Sequence, residues 1–306
     1  MATSTGFTST QYSEQDDAME PPKYDHLYLA NFLALRDIDI IPPSELVCSD
    51  SGDDLEQYIR GGGNVARVNE LGTGKSMHVV MSTWKEKVVA LKILRSRTPR
   101  TIQSMYFEMQ IMTHHALCDH PNIVKLLGLS MVFNDVYVMV VEAGLCHLGR
   151  FAEDSKPLAW CLSHELIGDI ADGLAILHAF GVVHGDIKPE NILVFRTERR
   201  IIAKISDFGE CGININKVAP RSATITWAPP EYSGAANSKI GEAERDVYGF
   251  GLVCQYLTER SSGPPSLALT ELIQNTLGPA SSRIRSLSGV RQRLTGRYFR
   301  MFWVSF

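Results

Sequence analysis

VVHGDIKPENILVF, residues 182–195, and AKISDFGE, residues 203–210, are the two stretches on which the reading of this chain turns. Taken alone, DIKPEN is a turn and SDFG the tip of a hairpin. Working outward, the sequence ahead of them is strand-like from 65 to 94. HVVMS (78–82) and KVVALKIL (87–94) are rich in β-branched residues and bounded by polar turns. TIQSMYFEMQIMTHHAL (101–117) then has helical spacing, which puts Ile102, Met105, Met109 and Met112 on one face. IVKLLGLSMVF (123–133) and VYVMVVEA (136–143) read as two more strands. AWCLSHELIGDIADGLAILHAFG (159–181) predicts a long helix, with Leu162, Leu166, Ile170, Leu174 and Leu177 in one stripe and Gly181 as its stop. A strand-built region therefore precedes a helix-rich one, and no internal repeat is evident.

Around the two stretches fall VALKIL (89–94), Glu108, WAPPE (227–231) and RDVYGFG (245–251). In order and spacing these segments resemble the eukaryotic protein kinase family, whose catalytic loop reads H-R-D-L-x-x-x-N and whose metal loop reads D-F-G. The resemblance covers about residues 65 to 260. It implies an α+β, bilobal, kinase-like fold with a small β-rich N-lobe over 61–143 and a truncated helical C-lobe over 144–260. Residues 1–60 are then a largely disordered or irregular extension, with YLANFLALRDIDII (28–41) as a candidate short helix and GGG (61–63) as a linker. Residues 261–306 are expected to be an atypical, poorly ordered tail.

The resemblance also implies roles. Lys92 would hold the α- and β-phosphates of ATP, and Glu108 would pair with Lys92 and fix its direction. Such a pair at about 4 Å interacts by roughly 4 kcal/mol at an effective dielectric near 20, before desolvation. Asp186 would accept or orient the proton of the attacking hydroxyl, and Lys188 would steady the transferring phosphoryl. Asn191 and Asp207 would supply hard oxygen ligands for Mg²⁺. Leu71, Val79, Ala90 and Leu193 match the apolar walls around adenine, and Glu142-Ala143 the hinge beside it. Lys188 two residues after Asp186, with Thr224 seven before Glu231, resembles the serine/threonine class. The implied function is transfer of the γ-phosphoryl of ATP to a protein serine or threonine. The alternative is a pseudokinase scaffold that holds ATP without turnover.

LGTGKSMHV (71–79) admits two phosphate-holding devices. A P-loop, G-x-x-x-x-G-K-[ST], needs glycine where Asn69 stands, and a helix after it. Here a strand follows, which favours the kinase loop with Gly72 and Gly74 as its first two glycines. Met77 stands where that loop's third glycine belongs, and its side chain is expected to crowd the tip and weaken nucleotide binding. Gly185 replaces the arginine that commonly receives a phosphate on the activation segment, so phosphorylation of Ser222 or Thr224 would lack its bidentate anchor. Activity independent of that modification is expected.

The third departure is at the end of the chain. Fewer than fifty residues follow RDVYGFGLVCQYLTER (245–260), and RIRSLSGVRQRLTGRYFRMFWVSF (283–306) does not resemble the family. Losing a few late helices would uncover on the order of 500 Å² of apolar surface, about 12 kcal/mol at 25 cal/mol per Å². A partner protein that covers this face is one expectation. Glu231 would lack its usual buried arginine, and Arg283, Arg285, Arg291 and Arg293 are candidates by charge alone.

Composition sets the outer bounds. The 306 residues carry a formal charge of −4, which argues against nucleic acid as a dominant partner. No apolar run approaches a membrane span, and the first twenty residues contain no apolar signal core. The six cysteines lack a C-x-x-C pair and are read as free thiols in a reducing compartment, the cytoplasm or nucleus. His114, His115, Cys118 and His120 could in principle bind zinc, but no second ligand pair follows at finger spacing, which favours a plain helix end and loop.

Overall fold

The computed structural model describes residues 38–49, 51–60, 77–94, 98–133, 136–209, 211–213, 224–232 and 243–295. The first lobe is built on a five-stranded antiparallel sheet. Its strands are β1 (Val47–Cys48), β2 (Met77–Trp84), β3 (Lys87–Leu94), β4 (Leu126–Val132) and β5 (Val136–Glu142), in the order β1-β2-β3-β5-β4. Strand alternation sends Met77, Val79, Ala90, Met139 and Val141 to one face, and Val80, Val89, Leu91, Val138 and Val140 to the other. The first face packs on helix α2 (Pro99–Met112), which follows helix α1 (Leu55–Arg60) in the chain. The Thr98 side chain caps α2 by accepting from Thr101 N–H, and Pro99 opens it. Met105, Met109 and Met112 point inward as their spacing requires.

The second face is covered by residues 41–60, which corrects the expectation of an irregular extension through residue 60. Ile41, Leu46, Cys48 and Leu55 are all buried against it. The segment also grips both edges of the sheet. Ile41 N–H donates to Leu129 O at 2.9 Å, and Leu129 N–H to Asp39 O at 2.9 Å, so residues 39–41 run along β4. At the far edge Val47 and Cys48 pair with Thr83 and Ser82. Edge strands left bare are sticky, and here both are occupied. Gly128 sits at a β-bulge beside this strap. A Cβ there would lie 2.6 Å from Ile41 Cδ1 and 2.7 Å from Asp39 O. Residues 39–41 are thus extended and not helical, while the remainder of the candidate helix, 28–37, and the glycines 61–63 lie outside the described residues.

The second lobe holds α3 (Leu148–Asp154), α4 (Trp160–Ala179), α5 (Glu244–Glu259), α6 (Leu267–Leu277) and α7 (Val290–Thr295). Short strands β6 (Cys146–His147), β8 (Ile192–Arg196) and β9 (Ile201–Ile205) form one sheet, and β7 (Val182–Val183) pairs with β10 (Gly212–Ile213). Helix α4 buries Leu166, Ile170, Leu174 and Leu177 completely and stops at Gly181, whose φ is +73°.

The expected poorly ordered tail is folded through residue 295. Leu269, Leu272, Leu287, Val290 and Leu294 are buried, so residues 261–295 themselves occupy the face that was expected to lie open. Helix α6 lies so close on α5 that a Cβ at Gly251 would come within 2.3 Å of Thr276 Oγ1. Helix α7 packs on α4, where Arg291 is paired with Asp169 and Asp172. Among the described residues no helix is long and apolar enough to cross a membrane.

Candidate active site

Lys92 projects from the middle of β3, where β2 and β5 flank it, and is almost wholly buried. Its ammonium donates to Glu108 Oε1 from α2 and lies 3.6 Å from Asp207 Oδ1. Burial works against the charged ammonium, but the Glu108 and Asp207 carboxylates outweigh it and hold the Lys92 pKa above its ordinary value. Asp207 itself is about half exposed, at 54%, and adopts a left-handed φ of +68°. Such a backbone is uncommon for any residue but glycine, asparagine or aspartate.

Asp186 sits in the loop after β7. Its Oδ2 accepts from Lys188 Nζ at 2.6 Å, and its Oδ1 accepts from the Thr224 N–H at 2.8 Å. Lys188 Nζ also donates to Thr224 Oγ1 at 2.8 Å. Asn191 Nδ2 donates to Asp186 O at 2.8 Å and to Oδ2 at 3.1 Å. Burial would push the Asp186 carboxyl up; hydrogen bonds from Lys188 and Thr224 outweigh it and hold the group below the usual carboxylate range. The two halves of the site are stitched together, because Ser206, the neighbour of Asp207, donates its N–H and its hydroxyl to Asn191 O, both at 3.0 Å. Lys92, Glu108 and Asp207 thus form one cluster and Asp186, Lys188, Asn191 and Thr224 a second, and Ser206 joins the two.

The loop is held from beneath by Asp246, a fully buried carboxylate on α5. It accepts from the N–H groups of His184 and Gly185, each at 2.7 Å, and from His178 Nε2 at 2.9 Å. Burial pushes Asp246 up, and these bonds and charges more than offset it, so its pKa is lowered. Gly185 has a φ of +80°, so the unusual residue before Asp186 occupies a position where a side chain would be strained. Asp246 stood in the RDVYGFG motif, but nothing in the sequence indicated what it would hold.

Val79 and Ala90 line the inner face of the sheet, and Leu193 packs against the same core from β8. Glu142 ends β5; its Oε1 accepts from Lys125 N–H at 2.8 Å and from Lys204 Nζ at 2.6 Å, clasping the junction between the lobes. Leu71, Gly72 and Gly74 lie outside the described residues, as does Ser222. Met77 opens β2, paired with Leu94, and its side chain is 7% exposed within the main core. The crowding expected of it at a loop tip is not what its buried position gives. His114 and His120 each use Nδ1 to accept a backbone N–H, from Ala116 and Asn122, as residues that close a helix end do.

Glu231 does find an arginine. Arg283 Nη1 donates to Glu231 Oε1 at 2.7 Å, and Nη2 donates to Gly278 O at 3.1 Å. Its guanidinium lies 4.9 Å from the centre of the Tyr248 ring. Of the four arginines available by charge, Arg285 pairs with Glu244 and Arg291 with Asp169 and Asp172.

Comparison with known proteins gives the same reading. The protein kinase domain family matches residues 65–271, about two thirds of the chain. The chain belongs to the protein kinase family. The match runs past residue 260 into the start of α6, which moves the end of the resemblance from about 260 to 271. The chain is 25% identical over 222 residues to dual specificity testis-specific protein kinase 1 of Mus musculus, covering 68% of this chain and 34% of that protein. It is 29% identical over 189 residues to the serine/threonine-protein kinase Aurora-1 of Arabidopsis thaliana, covering 60% of this chain and 61% of that protein. The U-box domain-containing protein 34 of Arabidopsis thaliana is 29% identical over 209 residues, 63% of this chain and 24% of its own length. The chain thus spans about a third of the length of the first of these relatives.

Proposed function

We propose that this protein kinase is an active enzyme that transfers the γ-phosphoryl of ATP to serine or threonine hydroxyls of a protein. The observation that carries the reading is the Asp186–Lys188–Thr224–Asn191 network, joined through Ser206 to the Lys92–Glu108–Asp207 cluster. Phosphoryl transfer asks a protein mainly to position groups and neutralise charge. Lys92, kept protonated and aimed by Glu108, supplies a fixed cation for the α- and β-phosphates. Asp186, ionised through the neutral range, orients the substrate hydroxyl and accepts its proton. The hydroxyl oxygen attacks the γ-phosphorus as the bond to the β-phosphate oxygen breaks, and ADP leaves. Lys188, anchored by Asp186 and Thr224, offsets charge on the moving phosphoryl.

Protein kinases generally use Mg²⁺ with ATP, and the donor set here fits it: one half-exposed carboxylate, Asp207, and one amide, Asn191, whose Nδ2 is turned to Asp186. When bound, that ion would neutralise charge on the phosphates. The serine/threonine preference rests on the Lys188–Thr224 bond beside Asp186. The alternative reading, an ATP-binding scaffold, drew on Met77 and the short C-lobe; a buried Met77 and a paired Glu231 weaken both grounds. Gly185 offers no guanidinium to an activation-segment phosphate, so turnover should survive phosphatase treatment. The six cysteines form no disulfide with one another, which favours the cytoplasm or nucleus.

The test is radiolabelled phosphate incorporation from Mg-ATP into mixed serine, threonine and tyrosine peptides, comparing wild type with Asp186→Ala. Incorporation on serine or threonine by wild type alone supports the proposal. ATP binding with no incorporation by either protein would favour the scaffold, and label on tyrosine alone would overturn the class.

A further inference from the structure

Helix α2 offers the metal-binding loop a second group besides Glu108. Ser104 lies one turn before Glu108, so the two side chains share a face of the helix. The Ser104 hydroxyl donates to Gly209 O at 2.7 Å, in a buried setting. Glu108 Oε1 meanwhile accepts from the Phe208 N–H at the longer distance of 3.4 Å. Successive turns of one helix thus grip successive residues of the loop, and the bond from Ser104 is the tighter. The approach is close: a Cβ at Gly209 would lie 2.6 Å from Ser104 Oγ. Asp207 immediately precedes this grip and holds its left-handed φ of +68°.

We propose that Ser104 is a positioning residue, a latch from α2 that keeps Phe208–Gly209 in place and so aims the Asp207 carboxylate at the metal. The inference rests on the reading of Asp207 as an Mg²⁺ ligand. No motif marks Ser104; only the contact with Gly209, 105 residues away in the chain, does. Asp207 can adopt this backbone by itself, and the hydrogen bonds to Phe208 and Gly209 fix the chain that follows it. Glu108 divides its carboxylate between Lys92 and the loop, whereas the Ser104 hydroxyl bonds to the loop.

The experiment measures binding of a non-hydrolysable ATP analogue by calorimetry, with Mg²⁺ and with EDTA, for wild type, Ser104→Ala and Ser130→Ala. Ser130 is also fully buried in the small lobe, but its hydroxyl has no hydrogen-bond partner among the described residues, so it controls for the loss of a buried hydroxyl alone. A neutral hydrogen bond of ordinary strength corresponds to about a fivefold change in an equilibrium constant. Ser104→Ala should therefore lose about fivefold of the affinity gained on adding Mg²⁺, keep the metal-free affinity, and differ in this from Ser130→Ala. A second pair of variants keeps the test sharp. Gly209→Ala should lose the Mg²⁺ gain because its Cβ meets Ser104 Oγ, and Ser104→Ala/Gly209→Ala should do no worse than Ser104→Ala alone. A full Mg²⁺ gain in Ser104→Ala, or equal losses with and without metal, overturns the proposal. Failure of wild type to bind the analogue more tightly with Mg²⁺ overturns instead the reading of Asp207 on which it rests.

Discussion

The Glu231–Arg283 pair is lopsided, and its two halves should respond very differently to mutation. The Arg283 side chain is 1% exposed, whereas that of Glu231 is 38% exposed. Removing Glu231 strands a guanidinium in the interior, with Gly278 O and the Tyr248 ring as the remaining contacts named above. Breaking a buried pair in this way costs about 3–5 kcal/mol, because the charge left behind cannot be rehydrated. Removing the arginine while filling its space, as Arg283→Met does, leaves a carboxylate that water already reaches. That change forfeits a charge-assisted hydrogen bond, about 1.5–3 kcal/mol. Glu231→Ala should then be the more damaging by about 2 kcal/mol, roughly 4–8 °C in Tm for a domain of this size. Differential scanning calorimetry of the two variants beside wild type measures it. If Arg283→Met melts lower than Glu231→Ala, or if neither moves Tm, the assignment of Arg283 as a buried cation anchoring Glu231 is refuted.

Three further outcomes follow from named contacts. Met77→Ala should lose roughly 2–4 kcal/mol of stability by urea denaturation, as a buried methionine truncation does, without raising ATP affinity; tighter nucleotide binding would restore the view that this side chain obstructs the phosphates. Gly128→Ala pushes a Cβ into Ile41 and Asp39 O and should destabilise by about 1–3 kcal/mol. Limited proteolysis near residue 40 should accelerate in that variant, and an unchanged digestion pattern would count against the strap. Asp186 and Asp246 have pKa values lowered by folding, so each binds its proton more weakly folded than unfolded. Their stabilisation is complete above the unfolded carboxyl value near 4 and is lost as pH falls through the lower folded values. Stability attributable to them should be flat from pH 8 to about 5 and fall only in acid; a loss between pH 8 and 6 that disappears in Asp246→Asn would contradict this.

Much of the site was legible before any coordinates. Lys92 lay in an apolar strand pattern, Glu108 in a methionine-striped helix, and Asp186, Asn191 and Asp207 within two short motifs at the right separation. Local periodicity also revealed α4, whose stripe is fully buried from Leu166 through Leu177. What differed from expectation was residues 38–60 and 261–295. The apolar side chains of residues 38–60 are broken up by Pro42-Pro43 and by the polar run 49–54, so no sustained helix or strand period forms. They become structured because the outer face of the sheet and its two open edges give Ile41, Leu46, Cys48 and Leu55 somewhere to go.

The sequence by itself determined which chemical groups this kinase owns and the order in which it presents them, since motif spacing and hydrophobic periodicity are properties of neighbouring residues. Tertiary structure alone decided which arginine meets Glu231, that Asp246 holds the loop before Asp186, and that Ser104 reaches Gly209. Those partners are separated by 52, 62, 61 and 105 positions, and no local pattern encodes a contact across such distances. Packing of α2, α5 and α6 brings them within hydrogen-bond reach, and the requirement that buried charges and hydroxyls find partners then selects among the candidates.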